Sequence, residues 1–199
     1  MKFLVFADVH NNKKYLNALL KRASEDDVEF IICAGDVSDF GKGLLDALEQ
    51  FNKLGKKFYM IPGNHEEPDT KFRDVMSHFD NCIDFHTNVF KKNGYIFCGY
   101  GGGGFAHEDP EFRQVAREWY GKYNGEKIVL ITHGPAFGTK LDKLDKHHAG
   151  NKDYRKFIER VKPKLAISGH MHETAGEMDT IDKTKVINPG WEGMVVELS

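Results

Sequence analysis

Phe3-Leu4-Val5-Phe6-Ala7-Asp8-Val9-His10 is the stretch from which the fold is read. A continuous apolar run reads as a strand buried on both faces, and the carboxylate and imidazole that follow it mark a polar carboxyl end. The same grammar recurs twice. Phe30-Ile31-Ile32-Cys33-Ala34 runs into Gly35-Asp36-Val37-Ser38-Asp39, and Lys57-Phe58-Tyr59-Met60-Ile61 runs into Pro62-Gly63-Asn64-His65-Glu66. Amphipathic segments lie between these strands. Asn11 or Asn12 is suited to cap a helix carrying Tyr15, Leu16, Leu19 and Leu20 on one face. A second helix from Gly43 to Leu54 carries a stripe of Leu44, Leu45, Leu48, Phe51 and Leu54, and Gly55 stops it. Strand, helix, strand, helix, strand implies parallel pairing through right-handed crossovers.

The rest of the chain is less regular. Phe72, Val75, Met76 and Phe79 suggest a helix. Ile83 to Phe90 and Tyr95 to Tyr100 read as strands around a turn at Asn93-Gly94. An aromatic-rich helix is expected from about Pro110 to Tyr120. Ile128 to Ile131 and Leu165 to Ile167 are again buried strands, followed by Thr132-His133-Gly134 and Gly169-His170-Met171-His172. Val186-Ile187-Asn188 and Met194-Val195-Val196 look like a closing antiparallel pair turned at Pro189-Gly190. A parallel first half with antiparallel pieces later favours one α/β domain over residues 1–199 with two mixed sheets.

Composition bounds the function. A chain of 199 residues, 40% hydrophobic and 29% charged, is ordinary for a globular protein, and its net charge of −2 supplies no global basic field for gripping nucleic acid. Cys33, Cys82 and Cys98 have no paired spacing, which suggests reduced thiols and a cytoplasmic protein. No apolar run reaches the length of a signal peptide or membrane helix, so no membrane partner is expected.

Ligands of open α/β sheets bind outside the carboxyl ends of the strands. Asp8, Asp36, Asn64, His133 and His170 all fall within a few residues of such an end. With His10 and His172 they offer two carboxylates, one amide and four imidazoles, too many for one tetrahedral zinc. They suit two divalent ions sharing a bridging carboxylate. Nitrogen and oxygen donors without thiolate point to Mn first, with Fe, Zn, Ni, Co or Mg as alternatives. A lone GDxxD or GNH would be a weak signal; five segments in order at strand ends are a strong one.

Taken together, Asp8-x-His10, Gly35-Asp36-x-x-Asp39, Gly63-Asn64-His65-Glu66, His133 and Gly169-His170-x-His172 resemble the motifs of the calcineurin-like metallophosphoesterase superfamily. The resemblance implies a four-layer α-β-β-α sandwich with two central mixed sheets and a dinuclear centre. It assigns Asp8, His10 and His172 to one metal, and Asn64, His133 and His170 to the other, with Asp36 bridging. His65 would not ligate but would donate to a phosphate oxygen or the leaving group, and Asp39 would hold it protonated.

The resemblance fixes the reaction better than the substrate. The protein phosphatase branch carries an arginine after the second motif's last aspartate; here that position is Phe40. The chain is most similar to small prokaryotic phosphoesterases, which implies hydrolysis of a small phosphodiester such as a cyclic nucleotide. A nuclease, a phosphomonoesterase and a non-catalytic phosphoester-binding scaffold are the alternatives, and nucleic acid is the less favoured partner. Asn11, Phe105 and His107 are candidates for touching substrate, and Gly101-Gly102-Gly103-Gly104 reads as a loop beside the site. Phe137 and Lys140 are candidates for its border. A homodimer through the aromatic segment near Trp119 is one option for assembly.

Overall fold

The computed structural model describes residues 1–66 and 70–199. One sheet contains β1 (Lys2–Phe6), β2 (Phe30–Cys33), β3 (Phe58–Met60), β4 (Cys82–Asp84) and β13 (Met194–Glu197), in the order β13-β1-β2-β3-β4. All its pairings are parallel except β13 against β1. The other sheet runs β11-β12-β10-β7-β6-β5, from β5 (Val89–Lys92), β6 (Tyr95–Tyr100), β7 (Lys127–Thr132), β10 (Leu165–Ile167), β11 (Met178–Ile181) and β12 (Thr184–Ile187). Its four central strands are parallel and its two edge strands antiparallel. A small hairpin joins β8 (Lys143–Leu144) to β9 (His147–His148).

The continuous apolar runs exist because both faces of each sheet are covered. Side chains alternate along β1: Phe3, Val5 and Ala7 enter the core between the sheets, while Leu4 and Phe6 enter an outer core. That outer core is closed by α1 (Lys13–Ala23), α2 (Leu44–Lys53) and α3 (Thr70–Ser77) through Leu16, Leu19, Leu48, Phe51, Phe72 and Met76. On the other side, α4 (Pro110–Tyr123) and α5 (Lys152–Val161) cover Ile96, Cys98, Ile128 and Leu130 with Phe112, Trp119, Tyr154 and Phe157. The layers are therefore α-β-β-α, as expected. Asn12, not Asn11, caps α1, accepting from the amides of Lys14 and Tyr15.

Several expectations need correction. Val186–Asn188 and Met194–Val196 do not pair with each other. Strand β12 joins the second sheet and β13 the first, and the intervening segment crosses between them, stitched by Ala7 N–H donating to the Gly190 carbonyl at 3.0 Å. Ile83–Phe90 is not one strand, because Thr87 turns left-handed at φ 57° and sends the chain from one sheet to the other. Leu45 lies off the buried stripe of α2 and is 59% exposed. Trp119 is only 4% exposed, so the aromatic segment offered for a dimer contact spends its largest ring on the core. Helix α5, capped by Asn151, has no counterpart in the sequence reading. Among the described residues no helix is long and apolar enough to cross a membrane.

Candidate metal centre

The carboxyl ends of β1, β2 and β3 in one sheet meet those of β7 and β10 in the other, and the polar segments converge there. Donor atoms fall into three groups, each with all atoms within 4.8 Å of one another: Asp8, His10 and His172; Asp36, His133 and His170; and His10, Asp36 and His65. Asp36 belongs to two of them. The Asn64 Oδ1 lies 3.0 Å from His133 Nε2, which adds the amide to the second group.

The backbone bends sharply to achieve this. Asp8, His10, Asp36 and His170 all adopt positive φ, between 47° and 69°. Close approach also demands glycine: a Cβ on Gly35 would sit 2.5 Å from His133 Nδ1 and 2.7 Å from the Gly63 nitrogen. Each loop is then tied to its neighbour. Asp8 accepts from His170 N–H at 2.9 Å, and Asp36 Oδ1 accepts from His65 N–H at 2.9 Å. Glu66 does more than its position in the motif suggested. Its buried carboxylate accepts from the amides of Asp36, Ser38 and Gly63 and from the Ser38 hydroxyl, at 2.7–3.0 Å. It therefore locks the loops after β2 and β3 together. Burial and the Asp36 charge push its carboxyl up, and the hydrogen bonds from the Ser38 hydroxyl and the Ser38 and Gly63 amides oppose that shift.

The donors fit divalent cations. His133 is fully buried, with Nδ1 2.9 Å from the Ala34 carbonyl, so Nδ1 carries the proton and Nε2 faces the group. That Nε2 meets two acceptors, Asn64 Oδ1 and Asp36 Oδ2 at 3.4 Å. Such a convergence calls for a positive charge. Burial lowers the His133 pKa, but the Asp36 hydrogen bond and charge, with Asp8, carry it up to about 9. Burial raises Asp36 in turn, yet the His133 hydrogen bond and charge hold it at about 2. Burial pushes Asp8 up to about 7. A nearby dication favours the ionised form of such a carboxyl. Burial, with the His133 charge, takes His170 down to about 4, keeping it neutral. Its buried Nε2 is the only such side-chain polar atom without a hydrogen-bond partner among the described residues. The Nε2 atoms of His10 and His172 face each other at 3.0 Å, and burial lowers the His10 pKa. Imidazole nitrogens placed this close to carboxylate oxygens can serve as metal ligands.

His65 stands at the rim. Its Nδ1 lies 3.4 Å from both the Asp39 carboxylate and the Phe40 N–H, and its ring stacks on Phe40. Phe105 sets its ring edge-on to His170 at 4.4 Å, and Gly104 lies against the same imidazole. The glycine loop is held by Gly101 N–H donating to buried His86 and Gly102 N–H to the Pro62 carbonyl. Two candidates have other partners. His107 is tied to the Gly150 carbonyl and faces Phe137. Asn11 directs its side chain at Gly43. Phe137 and Lys140 border the β8–β9 region: Phe137 packs on His148, and the Lys140 amide bonds Asp179. Buried Asp142, without signal in the sequence, organises that region by accepting from the amides of Gly138, Thr139 and Gly150 and from His148.

The match to known proteins agrees with this construction. A UPF0046 protein of Caenorhabditis elegans is 26% identical over 205 residues, covering 92% of this chain and 68% of that one. The crystal structure of TT1561 from Thermus thermophilus superposes with a TM-score of 0.78 at 13% identity, covering 96% of this chain and 90% of that one. A dimetal phosphatase from Danio rerio superposes with a TM-score of 0.61 at 12% identity, over 94% and 86% of the two chains. At such identities the structural likenesses speak to the fold alone. A family model described as calcineurin-like phosphoesterase matches residues 1–174, which include every donor named above. With that match over most of its length, the chain belongs to the calcineurin-like phosphoesterase family, a membership that implies a pair of divalent cations and the hydrolysis of phosphoric esters.

Proposed function

We propose that the protein is a phosphodiesterase acting on a small diester with two manganese ions. The observation that carries this reading is the sharing of Asp36 between donor groups whose imidazole nitrogens converge. Asp8, His10 and His172 would hold one ion and Asn64, His133 and His170 the other, with Asp36 available to both. A dinuclear centre of this kind supplies Lewis acidity to the phosphoryl oxygens and acidifies a water for in-line attack. Everything else falls to the chain. His65, at the rim, delivers a proton to the leaving oxygen. Asp39 orients the ring when Nδ1 carries a hydrogen, and the Phe40 N–H donates to the same nitrogen when it is bare.

Preference for a diester is supported by the openness of the rim. The α-helices among the described residues pack on the outer faces of the sheets, and the His172 side chain is 50% exposed. Both substituents of a diester then find room. Purified protein loaded with Mn²⁺ is expected to hydrolyse bis(p-nitrophenyl) phosphate with a higher kcat/KM than p-nitrophenyl phosphate. The reverse order moves the substrate to monoesters. Inactivity with Mn, Fe, Zn, Ni, Co and Mg leaves only a binding scaffold. His65→Ala should keep both metals by elemental analysis while kcat falls about 10²–10⁴-fold. Metal loss in that variant makes His65 a ligand instead.

A further inference from the structure

Phe40 is the most exposed large apolar side chain among the described residues, at 77%, and it occupies an unfavourable backbone position. It is the first central residue of a two-residue turn closed by mutual Asp39–Lys42 backbone bonds of 3.1 and 2.9 Å. Its φ is 48°, and that of Gly41 is 81°. Such turns favour Asn-Gly, and a bulky residue there is strained. Neither turn propensity nor burial accounts for a phenylalanine here. Residues that break a local rule in this way cluster at functional sites.

What the ring does touch is His65, stacked at 3.9 Å with 30° between the planes. The turn that carries it is braced: Gly41 N–H donates to the Ser38 hydroxyl, which donates to Glu66. Beside the ring a groove of about 500 Å³ opens, lined by Leu44, Leu45, Phe72 and Val75 together with His65 and Lys71. Leu45, off the buried stripe of α2 and 59% exposed, presents an apolar side chain to this groove.

We propose that Phe40 and this groove form the subsite for the leaving alcohol, and that the subsite selects a planar aromatic group. The inference rests on the phosphoesterase reading and on its use of His65 as proton donor. An alcohol that receives its proton from His65 departs beside Phe40 and the groove, where a flat ring gains a stacking partner already in place.

The test is calorimetric binding to the Mn²⁺-loaded full-length protein of three probes: inorganic phosphate, methylphosphonate and phenylphosphonate. The unaltered protein should bind phenylphosphonate about tenfold more tightly than methylphosphonate. Phe40→Asn should reduce that ratio to about twofold or less with phosphate binding unchanged and Tm undiminished, because Asn suits the turn. Phe40→Trp should keep the preference. A ratio that survives Phe40→Asn overturns the proposal, as does a ratio abolished by Phe105→Ala but not by Phe40→Asn. Loss of preference together with loss of thermal stability in Phe40→Asn assigns the ring a structural role and overturns it too. Phosphate binding without any phenyl preference defeats this inference alone. Failure of the unaltered protein to bind phosphate defeats the phosphoesterase reading with it.

Discussion

In the half of the centre built from Asp36, Asn64, His133 and His170, two of the four donors, Asp36 and His133, are backed by a backbone contact. In the half built from Asp8, His10 and His172, the two imidazoles face each other and the solvent. His133 is fully buried and held by the Ala34 carbonyl; Asp36 is 2% exposed and held by the His65 amide. The His172 side chain, by contrast, is half exposed and is steadied by His10 and the edge of Trp191. Asp8 is the exception on its side, buried and fixed by the His170 amide. The difference teaches that the fold fixes Asp36 and His133 through backbone contacts and leaves His172 open to solvent. Second contacts of this kind raise metal affinity about 10–100-fold, so the two ions should be held unequally.

The largest expected effect separates the halves by stability. In the metal-free protein, His133→Ala strands the buried Asp36 carboxylate and should cost about 3–5 kcal/mol in urea unfolding. His172→Ala, at an exposed position, should stay within about 0.5 kcal/mol. Equal losses would break the comparison. A smaller effect is expected one layer out. Glu66→Ala leaves three buried amides without their acceptor, for a loss of about 2–3 kcal/mol, and the ion held by His133 should weaken while the one at His172 does not. Weakening of both ions alike would make Glu66 a brace for the whole site. The smallest effect concerns the ions themselves. Chelator titration should remove the exposed ion first, over an affinity gap of about tenfold or more, near 1.4 kcal/mol. Trp191, with its ring centroid 6.0 Å from that of His172, should report this first step by fluorescence, and Trp191→Phe should silence the signal. Simultaneous release would make the halves one cooperative unit.

The sequence disclosed the strands that are buried on both faces, because an uninterrupted apolar run has few other meanings. It disclosed the donors because they follow those runs directly. It did not disclose which sheet β12 and β13 join. Their closeness in sequence suggests a hairpin, and only the crossing at Pro189-Gly190 decides otherwise. The role of Glu66 was equally hidden: a carboxylate that answers to backbone amides leaves no partner residue to find in the sequence. Asp142 is the same case in the β8–β9 region. His107 shows the converse, a residue promising by its neighbours that the fold turns toward Gly150. Leu45 obeyed the helix period on paper, yet its position on α2 faces the groove beside Phe40.

The left-handed backbone at Asp8, His10, Asp36 and His170 has a consequence for protein engineering. Anyone transplanting this constellation to another scaffold must copy the kinks as well as the side chains. On a straight strand end the same residues would splay apart, and no choice of rotamer would bring their donor atoms back together. The transferable object is the bent main chain with Glu66 behind it, and the recipient must offer parallel strands that end abruptly enough to receive it.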